Sequence, residues 1–341
     1  MTEDEGMGKT ADALCPACAE VVYSGDEFCE ACGHRLGGAA APPAPAAAGA
    51  CAGCGAPAVD AEGYCGVCGL KQPAARDHFE VEVPGAAGVS DRGRRHSRNE
   101  DFLALVPSPG GFAAVVCDGV GSSPDPDRAS RAAAEAGSAA LAARLAAGED
   151  PEAATRAAVL RAAEAVAALA PSPQEAPSCT YVSAVTGPGT VTVGWVGDSR
   201  AYWLASGGGP AADGVLGPSR QLTDDDSWAA IMVARGALTE AEAEAHPNAH
   251  VITGWLGADA EQVTPHVRTF AVDRPGTVLV CSDGLWNYVP AADGLAAVAG
   301  DAAPLEAART LVRHALEAGG RDNITVTLLP VTVGNGAGGH V

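Results

Sequence analysis

Ala113-Ala114-Val115-Val116-Cys117-Asp118-Gly119-Val120-Gly121 is the stretch from which the fold can be read. Five apolar residues in a row fit a strand buried on both faces. The run stops at Asp118, and two glycines allow the backbone to turn at once. A carboxylate at the end of a buried strand, beside a freely turning backbone, can hold a metal ion. The pattern recurs at Val278 to Ser282 before Asp283-Gly284, and at Val191 to Val196 before Gly197-Asp198-Ser199. Two further acidic sites precede strands: Asn99-Glu100-Asp101 before Phe102 to Val106, and Arg321-Asp322-Asn323 before Ile324 to Leu328.

The chain has 341 residues, 47% of them hydrophobic, enough for more than one domain and at least one large core. Its net charge of −21 disfavours nucleic acid and anionic membrane surfaces as partners. The N-terminus shows no basic and apolar leader, and no apolar run approaches the ~18 residues of a membrane span. A cytoplasmic protein without membrane contact is therefore expected.

Eight of the 11 cysteines form four Cys-x-x-Cys pairs: Cys15/Cys18, Cys29/Cys32, Cys51/Cys54 and Cys65/Cys68. Each cysteine of the second group lies 36 positions after its counterpart in the first, and Gly33 and Gly69 follow the last cysteine of each group. This is an internal repeat. Two such turns facing each other close a tetrahedron of thiolates around one zinc ion, with no position left open for catalysis. Units this small fold on the free energy of metal binding. The alternative, a redox Cys-x-x-Cys, does not require four pairs in register. The pairs resemble the double zinc ribbon of many bacterial and archaeal signalling proteins. Residues 1–78 carry four basic residues against eleven acidic ones, a net of −7, which argues for a protein-binding or spacer role and against nucleic acid. Cys117, Cys179 and Cys281 lie in or beside apolar strands and read as small core residues.

The expected organisation is a disordered 1–13, ribbons at 14–36 and 51–71 joined by a Pro/Ala linker at 37–50, a hinge at 72–77, a main domain at 78–333 and a flexible tail at 334–341. In the main domain, hairpins are expected at 102–106/111–117 across Pro107–Gly110 and at 180–186/190–196 across Gly187–Gly189, with 201–204 continuing that sheet. Further strands are expected at 79–83, 266–271, 277–282 and 324–333. Helices are expected at about 127–147, 151–170, 225–235, 239–245 and 304–318. Asp150-Pro151 and the Thr239/Glu242 capping box mark two of the starts. This order points to an α+β fold of two antiparallel sheets with helices outside.

Seven motifs, Arg98-Asn-Glu-Asp101, Asp118-Gly-Val-Gly121, Ser178-Cys-Thr180, Gly197-Asp-Ser-Arg200, Leu222-Thr-Asp-Asp-Asp-Ser227, Ser282-Asp-Gly-Leu-Trp286 and Arg321-Asp-Asn-Ile-Thr325, occur in one order over most of 85–333. In that order they resemble the PP2C (PPM) family of metal-dependent Ser/Thr protein phosphatases. The resemblance implies an α/β/β/α sandwich and hydrolysis of phosphoserine or phosphothreonine by in-line attack of water at two Mg²⁺ or Mn²⁺ ions, with a third ion in some bacterial members. It implies Asp118 as bridging ligand with the Gly119 carbonyl, Asp283 and Asp322 on the other ion, Asp101 at the same centre and Asp198 at the third. Glu100 and Asn323 would brace the ligands. Residues 227–260 would form the variable helical flap. The implied partners are phosphorylated proteins and a bacterial Ser/Thr kinase, and a monomer is expected.

Two positions depart from the family pattern. The usual phosphate-binding Arg is replaced by His96, flanked by Arg95 and Arg98, and a monodentate His clamps phosphate less well than a bidentate Arg. Val120 stands where eukaryotic members carry a His proposed as general acid. The competing reading is therefore a phosphatase-fold module that binds phosphoproteins or scaffolds a signalling complex without turnover. Metal analysis of the purified chain should find about two zinc ions, one per Cys₄ group; a content near one would show that the repeats pair differently.

Overall fold

The computed structural model describes the strands at 11–14 and 21–23, residues 51, 54–60, 63–69, 72, 75–207, 209, 212, 214–331 and 333. The chain divides into two compact units, Met1–Gln72 and Pro73–Val341. In the first, β1 (Ala11–Leu14) pairs antiparallel with β2 (Val21–Tyr23). Ordered backbone thus reaches into the expected disordered segment, because the Val21-Val22-Tyr23 run offers strand-forming partners. Cys15, Cys18, Cys29 and Cys32, the linker at 37–50 and the tail at 334–341 lie outside the described residues.

The second unit is a sandwich. Its strands are β3 (His78–Val83), β4 (Ala86–Asp91), β5 (Phe102–Ser108), β6 (Gly111–Cys117), β7 (Tyr181–Gly187), β8 (Thr190–Val196), β9 (Arg200–Ala205), β10 (Arg220–Gln221), β11 (His266–Ala271), β12 (Gly276–Cys281) and β13 (Ile324–Val331). One antiparallel sheet has the order β10-β9-β12-β13-β4-β3; the other, β11-β8-β7-β6-β5. The helices are α1 (Pro126–Ala146), α2 (Pro151–Ala167), α3 (Trp228–Ala234), α4 (Glu240–Glu244), α5 (Asp283–Trp286), α6 (Ala292–Ala299) and α7 (Pro304–Glu317).

Alternation explains why the central strands read as unbroken apolar runs. Ala114 and Val116 of β6 face inward and meet Val280 and Leu329 from the other sheet. Ala113, Val115 and Cys117 face outward and pack under Leu141 of α1 and Val159 of α2. On the opposite side Leu279 and Cys281 of β12 pack under Leu311 of α7. Both faces are covered, so neither can be polar.

The structure differs from the sequence expectation at several points. β9 leaves the sheet of β7 and β8 and pairs with β12 and β10 in the other. Its alternation permits this, since Trp203 faces the inter-sheet core and Tyr202 the α6/α7 layer. The 102–117 hairpin is tighter than expected, with Pro107 opposite Phe112 and Ser108 opposite Gly111. Proline is tolerated there because β5 is an edge strand with no partner on its far side. β4, Ala-Ala-Gly-Val-Ser-Asp, is weak in local propensity and is held by β3 and β13. α5 and α6 were not expected, being short and interrupted by Gly284 and Gly294. α3 starts at Trp228, after Asp224, Asp225 and Asp226, whose side chains are used elsewhere. Among the described residues no helix is long and apolar enough to cross a membrane.

α2 rests on β8 where Gly194 leaves room, and a Cβ there would run into the Thr155 side chain. Gly194→Ala should therefore cost about 1–3 kcal/mol by overpacking, measured by denaturant unfolding; an unchanged midpoint would show that α2 shifts without penalty.

Candidate metal centre and active site

Five acidic residues arrive from five separate segments. Asp118 follows β6, Asp283 opens α5 after β12, Asp198 follows β8, Asp101 precedes β5 and Asp322 precedes β13. The structure brings all five into one cluster. Burial holds the Asp118 carboxyl well above the usual range, and the charges of Asp101, Asp283, Asp322 and Asp198 add to the effect. Asp198 is likewise raised by burial and by Asp283 and Asp225. Asp101 is pushed up to about 7 by burial and by Asp322 and Asp283, against hydrogen bonds from Ser282 and Thr325. Asp283 is raised to about 6 by burial and by Asp322, while exposed His250 draws it down. Like charges driven together out of water favour protonation unless cations neutralise them.

The surrounding polar groups fix these carboxylates in place. Ser282 donates to Asp101 Oδ2 at 2.6 Å and accepts from the Thr325 amide at 3.0 Å. Asn323 accepts from the Glu100 amide at 2.7 Å and donates to the Arg92 carbonyl at 2.7 Å and the Arg98 carbonyl at 3.2 Å, tying the loop before β5 to the start of β13. The Asp118 amide donates to Thr180 Oγ1 at 3.1 Å, and Thr180 is paired with Ser199 at 2.7 Å. Asn287 donates to Asp283 Oδ2 at 3.2 Å. Gly284 must be glycine, because a Cβ would collide with the Asn323 carbonyl. Two buried oxygens, Asp101 Oδ1 and Asp283 Oδ1, have no hydrogen-bond partner. A buried carboxylate oxygen without a donor is costly and fits a cation. All the oxygens are hard donors, suited to Mg²⁺ or Mn²⁺. Their spread also fits ions that retain several waters: among the described residues only the cysteines place three or more ligand atoms within 4.8 Å of one another.

Those cysteines are Cys51, Cys54, Cys65 and Cys68. Cys51 and Cys68 sulfurs lie 3.6 Å apart, as do those of Cys54 and Cys65. A zinc tetrahedron with bonds of about 2.3 Å has edges of about 3.8 Å, so the donor set fits zinc. The Cys65 thiol is held below its usual value by the Cys68 and Val67 amides, which favours the thiolate.

The three expected phosphate ligands are placed differently from one another. His96 Nε2 lies 3.1 Å from Asp322 Oδ1. Arg98 is engaged by Glu100 at 3.0 Å and Asp127 at 3.3 Å. Arg95 is exposed and has no ion pair among the described residues.

Several participants were missed from the sequence. Asp226 is one: its Oδ2 accepts from the Gly197 amide at 3.0 Å, and its own amide donates to the Gly197 carbonyl at 2.9 Å. Gly197 has φ +105, and this clamp sets the turn that delivers Asp198. His266 holds the other Asp226 oxygen at 2.9 Å and stacks on Trp195 with ring centroids 5.0 Å apart. Arg200 is a second, paired with Asp225 at 2.7 Å and lying 3.5 Å over the Trp286 ring. Trp286 in turn donates to the Asp198 carbonyl at 3.0 Å. Three successive aspartates in a loop were the available signal; His250 and His266 carried none.

A family model described as "Protein phosphatase 2C" matches residues 90–318, and one described as "Double zinc ribbon" matches 15–69. Protein phosphatase PhpP of Streptococcus pneumoniae is 38% identical over 109 residues, 32% of this chain and 44% of PhpP. The chain spans about half the length of the curated relatives it matches. A solved structure of the PPM Ser-Thr phosphatase MsPP from Mycobacterium smegmatis, in complex with cacodylate, is 30% identical with TM-score 0.57, over 74% of this chain and 100% of that one. The catalytic domain of serine threonine protein phosphatase PstP, in complex with two manganese ions, is 27% identical with TM-score 0.54, over 72% and 98%.

Without metal, raised carboxyls stabilise the fold only while protonated, and that contribution is lost as pH rises through about 6 to 7 for Asp283 and Asp101. A cation binds the deprotonated form. The rise in Tm on replacing EDTA by saturating Mn²⁺ should therefore be larger at pH 8 than at pH 5.5, by at least about 3 °C. Thermal denaturation at both pH values checks this; equal rises would show that these carboxylates do not take up the ion.

Proposed function

The chain belongs to the protein phosphatase 2C family, and on that footing we propose that it is a metal-dependent phosphoprotein phosphatase acting on phosphoserine and phosphothreonine in bacterial kinase/phosphatase signalling. The observation that carries this reading is the convergence of five strand-end carboxylates, two of them with a buried oxygen lacking any donor. Asp118 and the Gly119 carbonyl would be among the groups holding the ions. Asp283, Asp322 and Asp101 would hold the second ion and complete the centre, and Asp198 would take a weaker third. Mn²⁺ or Mg²⁺ bound there supplies the positive charge that activates water and neutralises phosphoryl oxygens for in-line displacement.

The protein's own part is positioning. Ser282 and Asn287 fix which oxygens of Asp101 and Asp283 face inward. Asn323 and Glu100 lock the two loops that carry Asp322 and Asp101 against each other. Asp226 holds the turn before Asp198. Arg95, exposed and without an ion pair among the described residues, would meet a substrate phosphate; His96 would have to release Asp322 to join it, and Arg98 to release its carboxylates. The side chain at position 120 is that of Val and carries no proton to give the leaving alkoxide, so water would supply it. Residues 1–72 would serve as an accessory module, with structural zinc expected at Cys15, Cys18, Cys29 and Cys32, which lie outside the described residues, and at Cys51, Cys54, Cys65 and Cys68. Substrates are phosphorylated proteins, a partner kinase is expected, and the chain acts as a monomer.

The contact of His96 with Asp322 favours one second reading, a module that binds phosphoproteins without turnover. Hydrolysis of para-nitrophenyl phosphate separates the two. Turnover should require Mn²⁺ or Mg²⁺, vanish in EDTA, and fall roughly 10³-fold in Asp118→Asn as the ions' contribution to the transition state is lost. Absence of turnover by the metal-loaded wild type would favour the binding module.

A further inference from the structure

We propose that the groove between α3/α4 and α5 seats the residues flanking the phosphorylated side chain of the substrate, and that it selects flanks carrying Lys or Arg. This rests on the phosphatase reading and adds the substrate class. A cavity of about 760 Å³ begins at Asp198 and runs beneath α3 and α4 to Trp286 and Pro290. A second, of about 340 Å³, adjoins it and shares Arg200, Glu240, Glu244, Trp286 and Pro290. The groove is thus continuous with the acidic centre.

Its walls mix apolar and polar side chains, the apolar ones coming chiefly from α3 and Trp286. α3 reads Trp-Ala-Ala-Ile-Met-Val-Ala yet has no buried residue, and Ile231 and Val233 line the cavity. Its residues from Trp228 to Val233 are half-buried, so part of this apolar side remains open to the groove.

Its rim is acidic, and the charges fall out as follows. Arg200 is neutralised by Asp225 at 2.7 Å, and Asp224 by Arg268 at 2.5 Å. Glu240 and Glu244 line both cavities, are exposed, and have no ion pair among the described residues. Arg235 at the end of α3 does not line the groove, which leaves exposed His250 as its one other unpaired titratable side chain beyond Asp198. Glu240 and Glu244 stand four apart on a five-residue helix, so they repel along one face. Glu244 also sits at the helix C-terminus, where a negative charge opposes the dipole. This uncompensated pair costs the helix stability, and a cation on the partner relieves it. The complementary occupant is a basic, partly apolar substrate segment.

The test uses the full chain with Mn²⁺ and two phosphothreonine peptides, identical except for Arg or Glu at the positions flanking the phosphoresidue. Wild type should cleave the Arg peptide with a kcat/KM about five- to tenfold higher, and the preference should shrink as salt rises. Glu240→Gln with Glu244→Gln should bring the two peptides within about twofold, the range left to weak exposed pairs, while kcat/KM for para-nitrophenyl phosphate stays unchanged. Equal rates on both peptides in wild type, or a preference that survives the double variant, would overturn the proposal. So would a dimer by light scattering together with equal rates, which would assign the groove to a second copy of the chain. If para-nitrophenyl phosphate itself is not hydrolysed, the phosphatase reading fails; fluorescence anisotropy of the two labelled peptides then decides the groove, and equal affinities refute it.

Discussion

The constraint on which the main unit depends is the gathering of five carboxylates at one place inside it. Asp101, Asp118 and Asp198 could each find water if their strands ended elsewhere. Instead two sheets packed face to face bring the ends of β6, β8 and β12 and the starts of β5 and β13 together. The inter-sheet core around Val116, Trp195, Trp203 and Val280 supplies the apolar burial that can support this repulsion. The raised carboxyls of Asp101 and Asp283 are the sign of that conflict, and divalent cations would resolve it.

The zinc ribbon applies the same logic at a smaller scale. Cys51, Cys54, Cys65 and Cys68 converge, and among the described residues of this unit Cys51 and Cys65 are its only buried apolar side chains. There an ion would replace a core. In the main unit a large core exists already, so its carboxylates are not needed to hold the fold together.

The sandwich was legible because its central strands are buried on both faces. Ala113 to Cys117 and Val278 to Cys281 cannot alternate with polar residues, and an Asp of the cluster follows each run, at once or after Ser282. Elements without that signature were not legible. β4 has little propensity of its own and is held by its neighbours, and α5 and α6 are short and carry glycines. β9 was legible as a strand but not by its sheet, since membership depends on which of two apolar faces meets which layer. The site followed the same division. Five acidic positions stood out because a charge ending an apolar run is conspicuous. Ser282, Asp226 and the Asp226–His266 contact were hidden, because their roles come from pairings across 181, 29 and 40 residues of sequence.

Long-range electrostatics work against this molecule's proposed task. A chain of net charge −21 would repel an anionic phosphoprotein. At physiological ionic strength, however, exposed charges more than about 8 Å apart are largely screened. Approach is then decided by the few groups within that distance of the bound segment. At the phosphate these are the cations the carboxylates would hold. Along the flanks they are Glu240 and Glu244, which lack counter-charges of their own. The centre thus requires a cation that the protein does not encode, and the groove beside it is complementary to one that the substrate carries. Opposite signs at adjoining subsites give a segment a direction and register that an apolar groove alone would not impose.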